Sequence, residues 1–156
     1  MINMISVAVA VHVLSAVVWV GGMFFAYAIL RPSIGVLEPP LQRLKLWNRV
    51  FRRFFLWVWA AIVILTASGF YLINAVYGEL ANVGVHIHLM YAIASAMIIL
   101  FFALYFGPFK TFSDAVNVED GTTAITSLAS IRRIVAVNLT LGLITVAAGA
   151  SGRYWL

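Results

Sequence analysis

Four long stretches of the chain, residues 1–30, 54–73, 80–109 and 134–152, contain no lysine, arginine, aspartate or glutamate. Each is long enough to cross a hydrocarbon core about 30 Å thick, which takes roughly 20 helical residues. Backbone polar groups in lipid must be satisfied within the structure, and runs of this length without strict alternation favour helices over a barrel. The expected fold is therefore all-α: a polytopic membrane protein, one domain over residues 1–156, built as a bundle of four transmembrane helices at about 4–30, 54–76, 84–107 and 132–152. Composition agrees, because 64% apolar residues, 10% charged residues and a mean hydropathy of +1.05 exclude an ordinary soluble domain. The first stretch has no basic residue ahead of it and outruns a signal-peptide core, so it is expected to stay as a spanning helix.

Nine of the ten basic residues lie in two connections. Arg31, Arg43, Lys45, Arg49, Arg52 and Arg53 separate the first two stretches; Lys110, Arg132 and Arg133 separate the last two. The positive-inside rule then puts these connections in the cytoplasm and both termini outside, in the periplasm if the membrane is a bacterial inner membrane. Topology thus accounts for the net charge of +5 and leaves no nucleic-acid partner to be inferred. Residues 39–51 alternate leucine, tryptophan and valine with basic side chains after Glu38-Pro39-Pro40, the pattern of a short amphipathic helix in the inner interface. Residues 113–121 read as a solvated turn. With no cysteine, disulfides, thiolate metal sites and thioether-linked haem are excluded.

Counting about 20 residues outward from the cytoplasmic charges puts His12, Asn74, His88 and Arg153 in one outer layer, with His86 slightly further out. Ionisable residues at such depth usually face a cavity, a partner or the bundle interior, although near the interface they also simply hydrogen-bond in the wet boundary. His86 and His88 are two positions apart, about 200° around a helix, so only one of them can share a compact site with His12. Two neutral imidazoles on facing helices in a wide apolar bundle suit a b-type haem, and Arg153 could donate to a propionate or act as an interfacial anchor. The competing ligand set is His86, His88 and Met90, whose imidazoles and thioether suit copper. On a helix only His86 and Met90 align; the three converge only if that run is extended. In the last stretch Asn138, Gly142, Thr145 and Gly149 form a stripe expected to serve close helix packing.

His12-x6-Trp19-Val20-Gly21-Gly22-Met23-Phe24, Leu30-Arg31-Pro32 and Ile131-Arg132-Arg133-Ile134-Val135-x2-Asn138-Leu139 resemble the CopD family of small membrane proteins over nearly the whole chain. That resemblance implies copper uptake or resistance. A more distant likeness is to the HemJ-type protoporphyrinogen oxidases, in a first-helix histidine followed by tryptophan and glycine and in a His-x-Lys-Leu motif opening the third helix. It implies haem b on His12. Here the motif reads His86-Ile87-His88-Leu89, so His88 replaces the lysine that the likeness ties to oxidation of protoporphyrinogen and makes a second imidazole available. The resulting expectation is a membrane b-type haem protein, with haem held by His12 and either His88 or His86, in electron transfer or oxidoreduction with an unidentified redox partner. The alternative is a copper uptake or resistance protein using His86, His88 and Met90. Four helices leave apolar faces free, so a homodimer is an arrangement the sequence allows, and catalytic residues are not specified.

Overall fold

The computed structural model describes residues 3–155, the side chain of Arg153 excepted. Four helices are long and apolar enough to cross a membrane: α1 (Met4–Val36), α2 (Pro40–Tyr77), α3 (Val85–Asn117) and α4 (Gly121–Ser151). No strand occurs among the described residues. The all-α, four-span architecture expected from the charge-free stretches is the one the chain adopts.

The helix ends carry the usual local signals. Asn3 caps α1, its side-chain oxygen accepting from the Ser6 backbone N–H at 2.8 Å. Asp120 caps α4 in the same way, accepting from the Thr123 N–H at 3.1 Å, and hydrogen bonds from the Thr123 hydroxyl and from this N–H hold its carboxyl below the ordinary aspartate pKa. Pro40 opens α2, where a missing N–H costs nothing. Gly78 follows α2 with φ 79°, a left-handed conformation that favours glycine.

One expected break is absent and one expected turn is shorter than the sequence suggests. The stretch 39–51 is not a separate interfacial helix, since Pro40–Leu72 is a single α-helix of 33 residues. Nothing between Phe51 and Phe54 interrupts it, because Arg52 and Arg53 are good helix formers and a helix satisfies its own backbone in lipid, interface and water alike. The turn expected at 113–121 is shorter, because α3 continues to Asn117. It does so through Gly107-Pro108, where proline cannot donate a helical hydrogen bond and the spacing widens to π-helical over Tyr105–Phe109.

Helix α1 packs along α2, and α3 along α4, while α4 also touches α1. The end of the bundle bearing Arg31, Arg52 and Arg132 is filled with aromatic rings. Phe51 stacks on Phe55 at 5.5 Å between centroids, and Phe55 meets Phe109 edge-on at 4.8 Å and Phe101 at 5.5 Å. Trp59 and Tyr105 continue the cluster, with Phe112 wholly buried beside it. Such pairs contribute about 0.5–1.5 kcal/mol each beyond area burial. Arg52 and Ser113 (3.0 Å) tie α2 to α3, and Lys45 and Glu119 (2.7 Å) tie α2 to the turn after α3. Near the bundle centre, the Asn138 Nδ2–H donates to the Met97 carbonyl at 3.2 Å, joining α4 to α3. Gly142 lies where any Cβ would stand 2.8 Å from a Val20 methyl and 3.2 Å from Met97 Cε. The stripe on α4 thus serves close packing, as expected.

Candidate functional site at the histidine end

The opposite end holds the three histidines and the loop around Gly78. Aromatic fill thins out there: Phe70 and Tyr91, 6.4 Å apart, cross from α2 to α3 beside a shallow cavity of about 240 Å³ lined by Ile73, Asn74, Glu79 and Leu80. Small residues take over the contacts.

His12, partly buried on α1, is held by α2. Its Nδ1 lies 2.8 Å from Ser68 Oγ, and the Ser68 hydroxyl donates its one hydrogen to the Ile64 carbonyl at 2.6 Å. With its hydrogen directed to Ile64, Ser68 is placed to accept from an Nδ1–H of His12, the tautomer in which Nε2 keeps its lone pair. Gly69 lies against the ring, where a Cβ would stand in ordinary contact, 3.4 Å from His12 Cε1. The Leu65 backbone is a second hydrogen-bond partner of the His12 side chain.

His86 turns the other way round the bundle. Its side chain lies against Gly152, the residue following α4, so closely that a methyl group there would overlap the ring, and Trp155 approaches edge-on at 6.3 Å. One turn on, Met90 Cε would stand 3.0 Å from a Cβ on Gly149, and Met97 fills the corresponding place at Gly142. Three soft or borderline donors, His86, Met90 and Met97, thus line one face of α3, seated against Gly152, Gly149 and Gly142 respectively.

His88 is exposed and points away from that face, its Nδ1 3.4 Å from the Gly84 carbonyl of its own helix. Since 85–104 is α-helical, the run His86-x-His88-x-Met90 does not converge on one point. Among the described residues no group of three or more His, Cys, Asp or Glu side chains is gathered to hold a metal ion. Asn74 spends its Nδ2–H on the Phe70 carbonyl. The Arg153 side chain lies outside the described residues. The single layer expected from depth is thus divided into His12 against α2, His86 and Met90 against α4, and His88 facing out.

Ser68, Gly69, Gly149 and Gly152 position these side chains, and sequence reasoning did not assign the first two or the last to the site. A Ser-Gly pair inside an otherwise large-residue run, and glycines at the end of α4, were the available signals.

Four apolar spans with imidazole and thioether groups gathered at one end define a polytopic α-helical membrane protein. Residues 48–151, two thirds of the chain, match the model of the family described as CopD, copper resistance protein D, and the chain belongs to that family. No curated protein and no solved structure matches it. The matched stretch includes His86, His88, Met90 and Met97 and begins after His12. The likeness to HemJ-type oxidases finds no support among these matches.

Proposed function

We propose that the protein handles copper in the membrane, taking the ion at the histidine end and passing it along the α3–α4 seam through His86, Met90 and Met97. The observation that carries this reading is the matched ladder: His86 at Gly152, Met90 at Gly149 and Met97 at Gly142. Thioether sulfur favours Cu(I), and imidazole is a good ligand for either oxidation state. One imidazole and one thioether a helical turn apart make a weak site, which suits an ion that must be released as well as captured. Membership of a family described by copper resistance supports the same cargo. His88, on the other face, is a capture residue at most. In this reading the histidine end faces the periplasm of a bacterial inner membrane, an orientation that the positive-inside rule supports.

Copper measured by elemental analysis after Cu(I) loading and gel filtration of the purified protein tests it. Wild type should retain copper, Met90→Ala and His86→Ala should lose most of it, and His88→Ala should lose little. Equal loss in all three variants, or no retention by wild type, would overturn the reading.

A second reading, haem b on His12, rests on the Ser68 hydrogen bond, which supports the tautomer whose Nε2 lone pair would hold the iron. His12 fits one axial position. Haem bound there would supply one-electron chemistry, with Ser68 fixing the ring and Gly69 seating it. An optical spectrum of protein purified from haem-sufficient cells decides: a Soret band lost in His12→Ala favours haem, and its absence from wild type removes this reading.

A further inference from the structure

We infer that the histidine end carries an ammonium site, framed by Phe70 and Asn74 of α2, Glu79 of the following loop and Tyr91 of α3. These residues line one open-sided cavity of about 240 Å³, and its wall presents polar as well as apolar surface. That space has room for an ammonium group and the short chain that carries it.

The wall is built by the turn that ends α2. Gly78, at φ 79°, donates its N–H to the Asn74 carbonyl at 3.2 Å, and the chain turns so that Glu79 and Asn74 border the same space. Asn82 ties the loop down, its Nδ2 donating to the Tyr77 carbonyl at 3.3 Å and to Glu79 Oε1 at 3.4 Å. Phe70 and Tyr91 supply the aromatic part, edge-on to each other at 6.4 Å and 75°.

Charge and hydrogen-bonding capacity identify the guest. Glu79 is the only Asp, Glu, Lys or Arg between Arg53 and Lys110, and no basic side chain pairs with it among the described residues. Asn74 Nδ2 donates to the Phe70 carbonyl at 2.8 Å, while its Oδ1 receives no hydrogen bond among the described residues. The Tyr91 hydroxyl oxygen can accept as well. A carboxylate, an amide oxygen and two aromatic rings together suit a cation that carries N–H donors. An anion would be repelled by Glu79, and a hard metal ion, which takes about six oxygen ligands or more, would meet a largely hydrocarbon wall. Depth agrees with a lipid source: Asn74 lies about 30 Å of helix beyond Arg53, the thickness of a hydrocarbon core, and so at headgroup level. A phosphatidylethanolamine headgroup and a free amine present the same chemistry.

The test uses the full chain. Protein is reconstituted in vesicles of phosphatidylethanolamine, phosphatidylcholine and phosphatidylglycerol in equal amounts and re-extracted in detergent, and the lipid retained per protein is counted by native mass spectrometry. In parallel, the thermal midpoint of delipidated protein is followed as ethanolamine is added at constant pH and ionic strength. Preferential retention of phosphatidylethanolamine, reduced roughly fivefold by Glu79→Gln and again by Tyr91→Leu, supports a headgroup site. An ethanolamine-dependent rise in the midpoint that both variants lose, with no lipid preference, supports a site for the free amine. Asp114→Asn, which removes one negative charge at the other end of the bundle, should behave as wild type in both arms. Neither lipid preference nor ethanolamine stabilisation in wild type would overturn the inference, as would a response that survives in both Glu79→Gln and Tyr91→Leu. Phosphatidylcholine retained as well as phosphatidylethanolamine, both in preference to phosphatidylglycerol, would also overturn it, because a trimethylated head has no N–H to donate. Glu79 and Tyr91 are exposed, so neither substitution disturbs the buried core.

Discussion

The two ends of the bundle solve the problem of helix packing in opposite ways. At the arginine end a cluster of Phe51, Phe55, Phe101, Phe109 and Phe112 fills the space between α2 and α3. At the histidine end helices approach through Ser68, Gly69, Gly149 and Gly152, and the side chains seated on those small residues are imidazoles and thioethers. Aromatic fill gives many contacts and few chemical options. Small residues give fewer contacts but hold donor atoms in fixed places. The difference implies that stability resides mainly at one end, while the side chains proposed above to take copper sit at the other.

The comparison would break most visibly at Phe55, which is 3% exposed and touches rings from both α2 and α3. In a water-soluble core Phe→Ala costs about 3–5 kcal/mol. A side chain leaving a membrane core enters lipid rather than water, so only the lost packing counts and about 2–3 kcal/mol is expected for Phe55→Ala. Denaturation in mixed micelles measures this. His88→Ala, at an exposed position, should leave stability unchanged within about 0.5 kcal/mol. Equal costs at the two positions would erase the distinction between the ends.

Gly152→Ala tests the histidine end directly. Its backbone, at φ −60° and ψ −27°, accepts alanine without strain, so any effect comes from collision with His86. Displacing the ring should cost about 1–2 kcal/mol, within the usual range for overpacking. More telling, copper retention should fall with it as in His86→Ala, although residue 152 offers no ligand. Retention unchanged by Gly152→Ala would mean that the α4 glycines only pack.

Much of this was legible in the chain, and the rest was not for identifiable reasons. Charge-free length gives the four spans, because the bilayer sets one strict minimum. The opposed directions of His86 and His88 follow from helical geometry alone. Helix ends are harder: Arg52 and Arg53 mark a change of solvent, not a change of conformation, so the joining of 39–51 to the second span leaves no trace in hydropathy. Partners across helices are hardest. Nothing in the period or depth of His12 distinguishes a contact with Ser68 from one with α3, since interhelical pairing depends on rotation and tilt that small residues permit but do not encode.

Ser68→Ala should have a smaller effect than either substitution above. Interhelical hydrogen bonds in membranes average about 0.6 kcal/mol, and this one should cost about that amount in stability. Its sharper readout concerns His12, whose Nδ1–H would lose its acceptor and with it the fixed tautomer. Nitrogen-15 NMR of histidine-labelled protein should show a single Nδ1–H form of His12 in wild type and a mixture in Ser68→Ala. A single form in both would assign the tautomer to something other than Ser68.

The smallest effect is expected where a sequence reader might look first for stability, at the ion pair between Lys45 and Glu119. The pair is short at 2.7 Å and joins α2 to the turn after α3, but its side chains are 47% and 59% exposed. Water and salt screen such a pair, and holding two long side chains together opposes the Coulomb gain. A double-mutant cycle with Lys45→Gln and Glu119→Gln should therefore give a coupling of about 0.2–0.5 kcal/mol that shrinks as salt is added. A coupling approaching the cost of Phe55→Ala would relocate the stability of the arginine end from its rings to its charges. It would also weaken the contrast with the histidine end, because stability would then depend on charge on one side and small-residue contact on the other, with aromatic fill incidental to both.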